Sequence, residues 1–227
     1  MSYEGSSTHR SSAVEDYAKA IYALERRGRE PVTTNAVAER LGVTAASASG
    51  MVKRLCELGL VDHEPYHGVS LTDDGRRVAL EVLRHHRLLE LYLAESLSVP
   101  WDRVDREAEV LEHVLSEELE ELIAAKLGNP THDPHGDPIP TRQLTIDEGE
   151  TISLQALEAG AQGTFTRVSD SDPEMLRFLA QRGILPGASF EVVEKQPFDG
   201  PLFVRFGEEM HVLGGGLARA MRVEVQS

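Results

Sequence analysis

The chain is short of sulfur and of positive charge, and it has no long apolar run. A single cysteine, Cys56, occurs in 227 residues. That count excludes an intramolecular disulfide framework and fits a reducing cytoplasm, the expected location. No apolar stretch is long enough to cross a bilayer, and the polar start, Ser2 to Ser12, does not read as a signal peptide. Membrane partners are therefore not expected. Lysine and arginine number 23 against 38 aspartates and glutamates, a net charge of −15. Taken whole, that balance argues against a nucleic-acid partner. Its distribution weakens the objection. Residues 1–75 carry 8 basic and 11 acidic side chains, residues 76–150 carry 8 and 17, and residues 151–227 carry 7 and 10. The excess negative charge is thus concentrated in the middle third, and the length allows one to three compact units.

Within that middle third the run Glu109-Val110-Leu111-Glu112-His113 is the most informative. At 100° per residue, Glu109, Glu112 and His113 share one helix face with Asp105. Three carboxylates and an imidazole on one stripe repel each other unless a cation sits among them. Many further glutamates surround the run, so a solvated acidic face with a chance histidine is the competing reading. Two other features favour a metal. His86 and Glu90 stand at i and i+4 in the preceding helical stretch, and Glu15-Asp16 supplies a third acidic position near the N-terminus.

The hydrophobic spacing predicts a helix over 13–28, ended by Gly28, then two short helices over 34–60 broken at Gly42-Val43-Thr44. Thr44 would cap the second, with Ala48, Met51, Val52 and Leu55 inward. Leu60 to Leu71 alternates around Gly68 like a hairpin, and Thr72-Asp73-Asp74-Gly75 caps a long helix from about Arg76 to Leu97. Helix, helix, tight turn, helix, hairpin is the order of a winged helix-turn-helix. The outer side of the second helix offers small hydroxyls and two cations suited to bases and phosphates. The candidate DNA-contacting set is Thr34, Thr44, Ala46, Ser47, Ser49, Gly50, Lys53 and Arg54.

After a break at Pro100, a helix is expected over about 102–127, carrying the acidic stripe and ending at Gly128-Asn129-Pro130. The stretch from Thr131 to Pro140 is rich in Pro, Gly and Asp and reads as a stiff turn, although His132 and His135 could bind metal. Residues 141–152 read as a linker. From Ser153 onward short β-runs appear at 164–168, 189–194, 202–206 and 219–225, with one helix near 173–182. This pattern predicts a small β-barrel. Gly214-Gly215-Gly216 is expected to be a tight turn before the last strand, since no Lys-Ser/Thr follows to make a phosphate loop and no helix pattern fits.

Taken together, these residues resemble the diphtheria toxin repressor family of metal-dependent transcriptional regulators. The resemblance runs over nearly the whole chain. It rests on Glu15-Asp16-Tyr17 with Ile21-Tyr22, His86-Arg87-Leu88 with Glu90, Glu107-Ala108-Glu109 with Glu112-His113, and Asp133-Pro134-His135-Gly136. It implies a mainly α chain: a winged helix-turn-helix domain over 1–75, a helical metal-binding and dimerisation domain over 76–140, a linker over 141–152, and an SH3-like, FeoA-like β-barrel over 153–227. It implies a primary metal site of Asp16, Glu109, Glu112 and His113. An ancillary site would use His86, Glu90, Asp105 and, from the barrel loop holding Asp170, Asp172 and Glu174, Asp172. Iron-responsive members place Met and Cys where this chain has Asp16 and Glu109. Both departures point to the manganese-responsive branch, because carboxylate and imidazole suit Mn²⁺ whereas sulfur favours softer ions. Fe²⁺, Co²⁺ and Zn²⁺ remain alternatives. Lys19 stands where short manganese regulators carry a second first-helix carboxylate, which puts their shared two-metal site in doubt here. Asp105 replaces a histidine of the iron-type ancillary site.

The resemblance implies a homodimer on double-stranded operator DNA, repressing metal-uptake genes when metal is plentiful, with no catalytic residues and no small organic substrate. A carboxylate/His metal enzyme is the alternative from another class; it needs an open pocket and leaves the winged unit unexplained.

Overall fold

The computed structural model describes residues 11–26, 28, 32–64 and 68–226. The hairpin tip and the polar start before Ser11 lie outside the described residues. The chain forms two compact units, residues 1–85 with 142–145 and residues 86–141 with 146–227.

In the first unit, helix α1 (Ser12–Arg26) buries Val14, Tyr17, Ala18, Ile21 and Tyr22 along one stripe. Helix α2 (Thr34–Leu41) begins at Thr33, whose hydroxyl accepts from Ala36 N at 3.1 Å, a cap worth about 1 kcal/mol. It ends at Gly42 in the left-handed conformation (φ 65°). Helix α3 (Ala45–Glu57) is capped by Thr44 and buries Ala48, Val52 and Leu55, with Met51 only half-buried. Strands β1 (Val61–Glu64) and β2 (Gly68–Leu71) form the antiparallel hairpin, Val61 opposite Leu71. Glu25 of α1 accepts from Leu71 N at 2.8 Å and pairs with Arg76 at 3.2 Å, fixing the hairpin and the start of the next helix to α1. That next helix, α4 (Asp73–Leu97), starts three residues earlier than the apolar spacing predicts, because Thr72 caps it by accepting from Gly75 N at 3.1 Å. A Cβ on Gly75 would lie 1.9 Å from Leu60 O, so only glycine allows this crossing.

The second unit joins helices to a sheet. The expected helix over 102–127 is broken. Helix α5 (Val104–Leu111) and helix α6 (Glu117–Lys126) are separated by a turn at 112–116. Ser116 ends the turn as the cap of α6, accepting from Leu119 N at 3.3 Å. Glu117, Glu118 and Glu120 fill the first turn of α6, where the helix dipole favours negative charge. Several acids around the stripe thus have a structural reason to be there. Leu88, Leu89 and Leu91 of α4 pack with Ala108, Ile123, Ala124 and Ile139 in the helical core.

Six strands follow: β3 (Ile152–Ser153), β4 (Gln162–Val168), β5 (Ser189–Lys195), β6 (Leu202–Phe206), β7 (Glu209–Leu213) and β8 (Met221–Val225), in the order β3-β8-β4-β5-β6-β7. All pairings are antiparallel. Helix α7 (Pro173–Ala180) lies between β4 and β5 in sequence. The expected closed barrel is corrected: among the described residues the edges β3 and β7 pair with one neighbour each, and the sheet stays open. A two-residue edge strand has too few backbone groups to close it. Register shifts at Phe165/Arg167 and Val192/Glu194 add twist, and Phe165, Leu176, Leu179, Val192, Leu202 and Met221 belong to this unit's core. The expected glycine turn is also corrected. Gly215–Ala220 forms a short helix, α8, because burying Leu217 and Ala218 outweighs the poor helix propensity of the glycines.

Candidate metal centre and DNA-contacting surface

His86 organises the second unit's polar interior. It lies on α4, 6% exposed, and uses both ring nitrogens. Nδ1 lies 2.5 Å from Glu112 Oε2 and 3.7 Å from Glu109 Oε2. Nε2 lies 3.6 Å from Glu90 Oε1 and 3.5 Å from Asp105 Oδ1. Burial alone would push this imidazole towards its neutral form. The carboxylates of Asp105, Glu112 and Glu90, facing the ring nitrogens, outweigh it and hold the pKa well above the ordinary histidine value.

The break after α5 matters here. Glu112 follows the last turn, with its N–H still bonded to Ala108 O at 2.9 Å, and is buried. His113 follows it in the turn, its Nε2 3.5 Å from Glu112 Oε1. Glu109 and Asp105 stay on α5 with about half their side-chain surface exposed. The structure therefore gathers Glu109 and Glu112 about His86, sets His113 beside Glu112, and brings Glu90, Asp105 and Asp170 to the other side of the same ring. Asp16 belongs to α1 in the first unit.

Asp172, the expected barrel residue of the ancillary set, lies at the start of α7. Its carboxylate caps α7, accepting from Glu174 N at 2.9 Å and Met175 N at 3.4 Å. Asp170, two residues earlier in the same loop, takes the place beside His86 and Glu90. Burial, then the charges of Glu90 and Asp105, push the Asp170 carboxyl up, against the pull of His135 and His86.

Sequence reasoning also undervalued the turn at 133–137. Asp133 accepts from His135 N at 2.8 Å and Asp137 N at 3.0 Å, an Asx-type turn. Gly136 completes it at φ +87°, and a Cβ there would lie 1.9 Å from Thr166 O of β4. His135 is 1% exposed, and its Nδ1 lies 3.5 Å from Glu90 Oε1. Those two atoms are buried and have no hydrogen-bond partner among the described residues. Asp133 joins them in one buried group of potential ligands. Its carboxyl is pushed well up by burial, then by Glu90 and Asp137, with Arg87 opposing. Arg87 lies 3.6 Å from both Asp133 and Asp137, and Arg167 of β4 lies 3.4 Å from Asp137 and 2.9 Å from Glu148. His132 is exposed and contacts Thr131 Oγ1 at 2.9 Å, away from the group.

Oxygen and imidazole nitrogen donors, two of them buried without hydrogen bonds, fit a divalent cation of the first transition series.

Thr44, the cap of α3, and Ala46, Ser47, Ser49, Gly50, Lys53 and Arg54 on that helix are all exposed, while Thr34 at the start of α2 is half-buried. The Thr44 hydroxyl is already committed to Ser47 N at 3.1 Å and Ser47 Oγ at 2.9 Å. Ser49 bonds back to Ala45 O at 2.9 Å. Arg54 and Glu57 form an exposed pair at 3.5 Å. No helix among the described residues is long and apolar enough to cross a membrane.

Three family models account for most of the sequence: the iron dependent repressor N-terminal DNA binding domain at 9–69, the iron dependent repressor metal binding and dimerisation domain at 72–141, and the FeoA domain at 152–225. The iron-dependent repressor IdeR of Mycobacterium tuberculosis is 33% identical over 222 residues, 92% of this chain and 96% of that protein. This chain belongs to the iron-dependent repressor family, the family of the diphtheria toxin repressor. It is accordingly a metal-dependent, DNA-binding repressor. Among solved structures, a manganese-dependent transcriptional repressor in complex with manganese is 41% identical, covers 94% of this chain and 100% of that one, and superposes with a TM-score of 0.87. The manganese regulator SloR is 30% identical over 94% of this chain and 98% of that one, with a TM-score of 0.76.

Proposed function

We propose that this repressor is activated by Mn²⁺ and, as a homodimer on operator DNA in the cytoplasm, shuts off metal-uptake genes. The observation that carries the reading is the donor set around His86. Glu90, Asp105, Glu109, Glu112, His113, His135 and Asp170 offer oxygen and nitrogen only, and the single cysteine lies in α3. Hard carboxylates with imidazole suit Mn²⁺. The manganese-named structural relatives support the same choice.

Two centres are proposed. The first uses Asp16, Glu109, Glu112 and His113, with Asp16 assigned on the sequence resemblance. The second uses Glu90, Asp133, His135 and Asp170, with His86 and Asp105 at its edge. A bound divalent cation supplies positive charge that offsets the mutual repulsion of these carboxylates. Asp16 is the ligand that ties the DNA-binding helices to the dimer-forming ones, so the positions of the two recognition helices, α3 in each protomer, depend on it. Thr34, Ala46, Ser47, Ser49 and Gly50 would read bases, and Lys53 and Arg54 would meet phosphates. The winged unit is assigned to 1–75, the helical dimerisation unit to 76–140, the linker to 141–152 and the SH3-like sheet unit to 153–227.

Fe²⁺ is the second reading, favoured by the iron-dependent relatives at 33% identity. Zn²⁺ should bind this set more tightly than Mn²⁺, so affinity alone does not select the metal. Operator binding measured anaerobically with Mn²⁺, Fe²⁺, Co²⁺ and Zn²⁺ tests the choice. Activation by Mn²⁺ at free concentrations where Fe²⁺ does nothing supports it; the reverse order overturns it.

A further inference from the structure

Trp101, the single tryptophan, donates nothing to the ligand group yet holds one of its members in place. Its main-chain oxygen accepts from His135 Nε2 at 2.8 Å. Its ring stacks on that imidazole, with centroids 5.7 Å apart and planes inclined by 26°. Its indole Nε1–H donates to Leu176 O of α7 at 3.1 Å. The adjacent Asp102 pairs with Arg177 of α7 at 3.0 Å, so one turn of chain is fastened twice to that helix. A carbonyl can only accept, so the neutral His135 ring carries its proton on Nε2. Nδ1 is left with a lone pair, facing Glu90 Oε1 at 3.5 Å with no hydrogen bond. A ring nitrogen bonded to a main-chain carbonyl, with the other nitrogen free in a buried carboxylate group, is the arrangement of an oriented metal ligand.

We propose that Trp101 is a positioning residue. It holds His135 in the tautomer and orientation that present Nδ1 to a divalent cation, and it fastens that imidazole to α7. Occupancy of the Glu90–Asp133–His135 group and the seating of α7 are therefore linked, and each strengthens the other by the same factor. The inference rests on the second centre proposed above.

The test uses the full chain with Asp16→Ala as the parent, which removes a ligand of the first centre. Mn²⁺ affinity is measured by competition with a fluorescent chelator, and hydrogen–deuterium exchange of α7 is followed with and without Mn²⁺. In the parent, Mn²⁺ slows exchange in α7. Trp101→Phe keeps the stacked ring and the carbonyl but removes the indole N–H. It should weaken Mn²⁺ by roughly fivefold, the low end of a site-to-site coupling, because the turn that orients His135 loses one of its two fastenings to α7, and it should reduce the metal-dependent slowing. Arg177→Ala cuts the neighbouring fastening and should move both readouts in the same direction, which covers a Trp101 variant that fails to fold. A merely structural tryptophan would lower the melting temperature and leave both readouts at the parent's values, and that result overturns the proposal. Glu90→Gln separates the two levels. If it abolishes Mn²⁺ binding while Trp101→Phe and Arg177→Ala match the parent, only the role of Trp101 fails. If the parent binds no Mn²⁺, or Glu90→Gln binds as the parent does, the second centre fails and the role of Trp101 with it.

Discussion

His86 Nδ1 and Glu112 Oε2 stand 2.5 Å apart in the interior of the second unit, a charge-assisted contact between α4 and the turn that follows α5. Glu90 and Asp105 face the other ring nitrogen. One imidazole thus separates two groups of carboxylates. A proton on His86 would do part of what a cation between them would do.

A pH dependence follows with a defined sign. The folded pKa of His86 lies well above 6.5. Its protonated form therefore stabilises the metal-free fold fully below about pH 6.5, the unfolded value, and that contribution is lost as pH rises through the folded pKa. Cations bind the carboxylate and imidazole groups in competition with this proton. Apparent Mn²⁺ affinity should therefore rise from pH 6.5 upward, with proton release seen by calorimetry in buffers of different ionisation enthalpy. Affinity independent of pH between 6 and 8 would show that His86 carries no displaceable proton.

Gly136→Ala should be poorly tolerated. The position has φ +87°, and a Cβ would fall 1.9 Å from Thr166 O. Backbone strain alone costs about 1–3 kcal/mol, and the clash adds to it. Thermal melts should show the loss, and His135, whose carbonyl accepts from Val168 N at 3.0 Å, should be displaced with it. A melting temperature equal to wild type would mean that the turn and β4 are not in contact in solution.

Gly50 on α3 has open space where a Cβ would go and no positive φ. Gly50→Gln should therefore fold as well as wild type and change which operator is preferred, as should Ser47→Ala. Arg54→Ala should instead weaken binding to all sequences and lower the salt slope by roughly one unit. In-vitro selection with Mn²⁺-loaded protein, followed by titration, checks both. If none of the three substitutions alters affinity or preference, the DNA surface lies elsewhere.

How much of this was readable in the sequence depends on what periodicity can carry. The helices, the hairpin and strand β6 follow from apolar spacing and caps such as Thr44. The break at 112–116 did not, because Glu112 and His113 continue the helical stripe and only Ser116, one more polar residue in an acidic run, marks the new start. Helix α8 was hidden by three glycines whose conformation is decided by packing. His135 reads first as part of a stiff proline-rich turn that could bind metal, since nothing local shows that Glu90 waits 45 positions away. Asp170 and Asp172 are equivalent by composition; only the start of α7 shows that one is a cap.

The choice of metal is tested by changing ligand softness. Asp16→Met with Glu109→Cys swaps hard donors for thioether and thiolate. The double variant should lose activation by Mn²⁺ and keep or gain a response to Fe²⁺ or Co²⁺, read as operator affinity with each ion. An unchanged Mn²⁺ midpoint would mean that selectivity lies with Glu90, His135 and their neighbours instead.

The most direct test of the whole account is operator affinity against free Mn²⁺ for wild type, Glu112→Ala and His113→Ala, with melting temperatures to verify folding. Glu112 is buried beside His86 and His113, so the melting temperatures also register the loss of its contact with His86. Wild type should bind its selected operator only with metal. Both variants should stay folded and lose the metal-dependent gain, a drop of about thirtyfold or more for a coupling of 1–3 kcal/mol expressed in each half of the proposed dimer. Folded variants that respond to Mn²⁺ as wild type does would contradict it.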